Sequence, residues 1–104
     1  MSYDASPVYS PTEAYNAYKS YFSEPVTIGV EVLPETWGGH VLSMSELSSF
    51  TSFVNQKNGG DMMIWSLQKE PDSAASNSNP SANMISQAIC VSFNLGNCDQ
   101  SLRL

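Results

Sequence analysis

The sequence predicts an α/β protein built from parallel βα units. Three amphipathic helical segments alternate with two short apolar segments along the 104 residues. Each apolar segment is bounded by turn residues and has the length of a strand rather than a helix. Strands that alternate with helices favour a parallel sheet over a hairpin sheet. The expected order is helix, strand, helix, strand, helix.

The first helix begins after Ser10, which can cap it, with Pro11 at the first helical position and Glu13 completing a capping box. Apolar and aromatic residues recur at three- and four-residue spacing through about Phe22, and Pro25 ends the helix. They are Ala14, Tyr15, Ala17, Tyr18, Tyr21 and Phe22.

The first strand is predicted at residues 26–33, where side chains alternate between two faces. One face carries Val26, Ile28, Val30 and Val32, and the other carries Thr27, Gly29 and Glu31. Glu31 therefore points inward on the side away from the valines. An isolated carboxylate there would be costly, so we expect Glu31 to meet either a ligand or a buried ionic partner.

The loop at residues 34–42 contains Glu35, Trp37 and His40, and it leads into a second capping box from Ser43 to Glu46. The helix that follows has a buried stripe and is predicted to end at Lys57, before Asn58-Gly59-Gly60. The stripe consists of Leu47, Phe50, Phe53 and Val54. We expect a structural role for His40.

The second strand is predicted at residues 61–67, and a polar loop at 68–79 connects it to the last helix. In the strand, Met62 and Ile64 face one way, whereas Met63, Trp65 and Leu67 face the other. The last helix is predicted to start at Asn79-Pro80 and to run to about Ser92, with Gly96 ending the ordered part. Its apolar stripe is Met84, Ile85, Ala88, Ile89 and Val91.

Charge and composition exclude several kinds of partner. Four basic and 10 acidic residues give a net charge of -6, which repels nucleic acid and anionic lipid. No apolar run approaches the roughly 20 residues of a membrane helix. His40 is the only histidine and has no second ligand at metal-site spacing, so we expect neither a metal nor a cofactor. Cys90 and Cys98 flank a turn-rich stretch and form either a disulfide or two separate thiols.

Two strands and three helices leave both edges of a parallel sheet open, so the pattern predicts part of a larger sheet. A closed (β/α)8 barrel takes about 250 residues, of which this chain would supply the last quarter to third. The opening residues read as the end of a preceding strand. We therefore expect the chain, taken alone, to be poorly stable.

Three blocks carry a resemblance to a known family. Met1-Ser2-Tyr3-Asp4 resembles the M-x-Y-D signature that ends the sixth strand of glycoside hydrolase family 18 barrels. Residues 28–35, ending in Pro34-Glu35, are similar to the seventh-strand segment of chitinases in that family. Residues 59–66, ending in Trp65-Ser66, resemble the eighth strand. The blocks have the family's order, the likeness as a whole spans about residues 1–90, and the local similarity is greatest to bacterial chitinases. Residues 1–104 are thus interpreted as the C-terminal portion of a family 18 catalytic domain, from the end of strand 6 through units 7 and 8.

The resemblance implies a substrate-binding role for several residues at the carboxyl ends of the strands, where such barrels bind their ligands. Tyr3 and Asp4 would orient the substrate acetamido group, and Trp65 would stack on a sugar ring. Glu31, Glu35 and Trp37 are further candidate substrate-binding residues; for Glu31 a structural ion pair is the equal alternative. A core position for Trp65, and a solvated one for Glu35, are the corresponding structural alternatives.

The family motif D-x-x-D-x-D-x-E, whose Glu is the proton donor, is absent from these 104 residues. The resemblance therefore implies a glycoside hydrolase as the parent protein and no hydrolysis by this chain alone. Expected partners are chitin or N-acetylglucosamine oligosaccharides, and the parent is expected to be secreted and monomeric. Alternatives are a non-catalytic chitin-binding lectin of the same fold, an endo-β-N-acetylglucosaminidase, and an unrelated small α/β protein.

Overall fold

A computed structural model of the chain describes residues 10–32, 40–57, 61–69 and 74–100. The elements are α1 (Pro11–Lys19), β1 (Ile28–Glu31), α2 (Met44–Gln56), β2 (Met62–Trp65) and α3 (Ala82–Phe93). The predicted α/β class and the order of the elements are confirmed. Each strand is four residues long, so both are shorter than the segments predicted from the apolar runs.

β1 and β2 pair in parallel, with Ile28 opposite Met62 and Glu31 opposite Trp65. The amide of Ile28 donates to the carbonyl of Asp61 at 3.1 Å. The amide of Val32 donates to the carbonyl of Trp65 at 2.9 Å. Parallel strands joined by a helix end at the same edge of the sheet. Glu31 and Trp65 are therefore neighbours at the carboxyl edge.

The hydrophobic core lies between the helices and one face of this sheet. Ile28, Val30 and Val32 are each 3% exposed, which confirms the apolar face predicted for the first strand. Met62 and Ile64 of β2 pack against the same core. The helices and loops bury Tyr15, Leu42, Leu47, Val54, Ala82, Ile85 and Ile89 in it.

Helix α1 ends at Lys19, three residues before the predicted end at Phe22. The Lys19 ammonium donates to the carbonyls of Ser23 and Glu24, each at 3.0 Å, and so stabilises a turn where the helix was expected to continue. Of the predicted aromatic face, Tyr15 is buried and makes an edge-to-face contact with Phe53 at 5.1 Å. The other three aromatic residues, Tyr18, Tyr21 and Phe22, are exposed.

Helix α2 begins as predicted. Ser43 Oγ accepts from the Glu46 amide at 3.2 Å, and the Glu46 carboxylate accepts from the Ser43 amide at 3.4 Å, which completes the capping box. Leu47 and Val54 are buried, whereas Phe50 and Phe53 are partly buried against the core. Thr51 is also buried, and its hydroxyl donates to the Ser48 carbonyl. The predicted stop at Asn58-Gly59-Gly60 lies outside the described residues.

Helix α3 starts two residues later than predicted. Ser81 is its N-cap, because Asn79 forms a two-way backbone bridge with Ser76, with both N–H···O distances 3.1 Å. At the other end Asn94, in the left-handed conformation with φ 53°, caps the helix, so the helix ends before Gly96. Val91 is 69% exposed and does not belong to the buried stripe, contrary to the prediction.

Candidate functional site: the carboxyl edge of the sheet

Trp65 is the exposed aromatic residue at the carboxyl edge of the sheet. It ends β2, and 44% of its surface is exposed. The opposite face of β2 packs on the core through Met62 and Ile64. The ring of Trp65 is thus on the side away from the helices, as the alternation of the strand predicted. The structure does not use this tryptophan as a buried core residue.

Glu31 occupies the matching position at the end of β1, but its side chain is buried. Its side chain is 1% exposed, and the Lys69 Nζ lies 3.8 Å from Glu31 Oε2. An opposite charge at this distance offsets part of the cost of removing a carboxylate from water. For Glu31, the structure supports the ion-pair alternative that the sequence left open.

Lys69 was not a candidate in the sequence. It follows Trp65 by four residues, and its amide donates to the Ser66 carbonyl at 3.1 Å, which closes a turn directly after β2. This turn brings the ammonium back over the end of β1. One sequence signal was present. Lys69 is a basic residue soon after the second strand, and the neighbouring first strand ends in the inward-facing Glu31.

The described residues beside Glu31 form a small cavity. Its volume is about 10 Å³, roughly the volume one water molecule needs. The lining residues are Pro11, Gly29, Val30, Glu31, His40, Leu42 and Phe50. Trp65 does not line this cavity.

His40 has a structural contact, in agreement with its expected role. Its Nε2 lies 2.7 Å from Glu46 Oε2, the same oxygen that accepts from the Ser43 amide. The imidazole ring thus holds the Glu46 carboxylate in the position where it caps α2. Within the described ranges no group of three or more His, Cys, Asp or Glu side chains is close enough to hold a metal ion.

Four of the predicted site residues belong to the first residues of the chain and to the loop after β1. They are Tyr3, Asp4, Glu35 and Trp37, and they lie outside the described residues.

The two cysteines are described. Cys90 in α3 and Cys98 in the segment after it form a disulfide, with Cα atoms 5.6 Å apart. This bond ties the chain that follows α3 back onto the helix.

A half-exposed indole at the end of a parallel strand is suited to stacking on a flat, partly apolar ligand surface such as a sugar ring.

In the part of the chain that the structure describes, no helix has the length and apolar character that crossing a bilayer demands. Comparisons with protein-family models, with curated proteins and with solved structures found no match to this chain.

Proposed function

We propose that this chain is the C-terminal part of a family 18 chitinase barrel, comprising the end of strand 6 and units 7 and 8. In this assignment β1 is the seventh strand and β2 the eighth. Support comes from the three resembling blocks, from their order, and from the parallel pairing of β1 with β2 around a helical crossover. The parent enzyme would hydrolyse β-1,4-N-acetylglucosamine linkages with retention at the anomeric carbon.

The exposure of Trp65 is the observation that carries this proposal. Active sites of (β/α)8 barrels gather at the carboxyl ends of the strands, and Trp65 ends β2 with 44% of its surface exposed. A large aromatic side chain left open at that edge favours a stacking surface over a packing role.

In the proposed mechanism, this chain positions the substrate and the rest of the barrel supplies the proton donor. The carbonyl oxygen of the substrate acetamido group attacks the anomeric carbon and displaces the leaving-group oxygen, which takes a proton from a glutamic acid outside these residues. Tyr3 and Asp4 would aim the acetamido group, and Trp65 would form the floor under the sugar. Glu35 and Trp37, on the loop after β1, would add contacts to the substrate.

A secreted parent is consistent with the disulfide between Cys90 and Cys98, since such bonds persist mainly in oxidising compartments. The net charge of -6 is compatible with a neutral polysaccharide as the ligand. We propose chitin or its oligosaccharides as partner, and a monomeric parent.

The test is the affinity of the full-length protein for a chitin oligosaccharide, measured by calorimetry, with Trp65→Ala. Removing a stacked indole should weaken binding about 30-fold, equivalent to about 2 kcal/mol. Tyr21→Ala is the matched control, because Tyr21 is an exposed aromatic residue on the turn after α1. Equal affinities for wild type and Trp65→Ala would remove the basis of the proposal.

The second candidate is a chitin-binding lectin of the same barrel, because the D-x-x-D-x-D-x-E motif lies outside these residues in either protein. Trp65 would stack on sugar in either protein. The upstream coding sequence separates them: the motif with its final Glu indicates an enzyme, and another residue at that position indicates a lectin. Hydrolysis of N-glycans in preference to chitin oligomers would instead indicate an endo-β-N-acetylglucosaminidase.

A further inference from the structure

Two contacts join the ends of β1 and β2 near Trp65, and a third closes the turn that follows Trp65. The Trp65 carbonyl accepts from the Val32 amide at 2.9 Å, and the turn that follows Trp65 is closed by the Lys69 amide on the Ser66 carbonyl. The Lys69 ammonium then returns to β1, where it lies 3.8 Å from the Glu31 carboxylate. Glu31 is itself the register partner of Trp65.

This arrangement holds the backbone on both sides of the indole. Pairing with β1 holds the residues before Trp65, and the Ser66–Lys69 hydrogen bond and the Lys69–Glu31 contact follow it. An ion pair at a buried site is weakly screened by salt and so restrains the turn more than an exposed pair would. The Glu31 side chain is 1% exposed and that of Lys69 is 19% exposed, so solvent competes little for either charge.

We propose that Lys69 and Glu31 are positioning residues for Trp65: their ion pair clamps the turn after β2 and so sets the orientation of the indole that receives the sugar. The inference rests on the proposed function, because it assigns the sugar platform to Trp65. The pair acts through the ring and does not touch substrate. Its loss broadens the range of ring orientations and lowers the share that is ready to stack.

The experiment is a double-mutant cycle in the full-length protein, with Lys69→Met and Trp65→Ala separately and together, and with chitohexaose affinity as the readout. Lys69→Met should weaken binding by five- to tenfold when Trp65 is present and leave it unchanged when Trp65 is already alanine. Lys69→Arg keeps the charge and should stay within twofold of wild type. Lys57→Met removes a lysine beside Phe53, away from this edge, and should also stay within twofold.

Additive losses in the cycle would overturn the inference, because Lys69 would then act independently of the indole. An unchanged affinity in Lys69→Met overturns it as well. Should Lys69→Met fail to fold with its buried carboxylate unmatched, the pair Glu31→Gln, Lys69→Met replaces it in the cycle under the same criteria. If Trp65→Ala alone leaves affinity unchanged, the proposed function fails, and that result is distinct from a failure of the positioning role.

Discussion

Leu47 and Ile85 have no exposed surface and belong to the hydrophobic core. Truncating either to alanine should lower the free energy of unfolding by about 2–5 kcal/mol, through lost burial and the cavity that remains. Val91→Ala, on an exposed face of α3, should change it by less than about 0.5 kcal/mol. Denaturant unfolding measures all three; a loss at Val91 equal to that at Ile85 would contradict the described core.

The Ser43 hydroxyl accepts from the Glu46 amide and so caps α2. Ser43→Ala should cost about 1 kcal/mol of stability, whereas Ser45→Ala, at an exposed position in the first turn, should be neutral or slightly stabilising. The two serines are two positions apart, so thermal unfolding of the two variants compares a cap with a simple change of side chain. Equal effects would show that the cap contributes little.

At the residue scale, the sequence predicted the faces of the strands because burial on one side imposes a period of two. Val30 and Glu31 were assigned to opposite sides on that basis alone, and the packing of Ile28, Val30 and Val32 into one core bears out the predicted apolar face. Lys69 was missed because its contact with Glu31 joins positions 38 apart in the sequence. The sequence places a basic residue soon after β2, but it does not say which residue of β1 that side chain meets.

At the scale of elements, the disulfide closes a short loop after α3, with its cysteines eight positions apart. Replacing Cys90 and Cys98 with serine should lower stability by about 2–3 kcal/mol, as expected from the entropy of closing a loop of this size. The change should also free the segment after Asn94. Limited proteolysis should therefore cut near Gly96 sooner than in the wild-type protein. Unchanged cleavage would indicate that other contacts hold the segment.

Helix boundaries were predicted best where a cap decides them. The box at Ser43 fixed the start of α2, whereas the start of α3 moved from Asn79 to Ser81 because Asn79 is engaged by Ser76. The end of α1 was misplaced because the Lys19 ammonium donates to carbonyls of the next turn, a local contact that the apolar periodicity does not show. Helix identity follows from periodicity, but helix ends depend on contacts that periodicity does not encode.

At the scale of the whole molecule, the parallel pair β1 and β2 should be unable to sustain a cooperative fold in isolation. Unpaired strand edges favour association, and two strands bury little of the sheet. We expect the 104-residue chain on its own to elute as aggregates and to melt without a sharp transition. A monomer with one sharp thermal transition by calorimetry would contradict this expectation.

The central claim is that β1 and β2 are interior strands of a closed sheet, and amide hydrogen exchange tests it most directly. Because the Ile28 and Val32 amides point at β2, the Gly29 amide between them points to the other side of β1; by the same alternation the Ile64 amide points away from β1. In the closed barrel proposed above, both amides should be protected as strongly as that of Val30, since a strand should pair on each outer edge. Exchange of Gly29 and Ile64 at the rate of open amides, with Val30 protected, would contradict the barrel assignment.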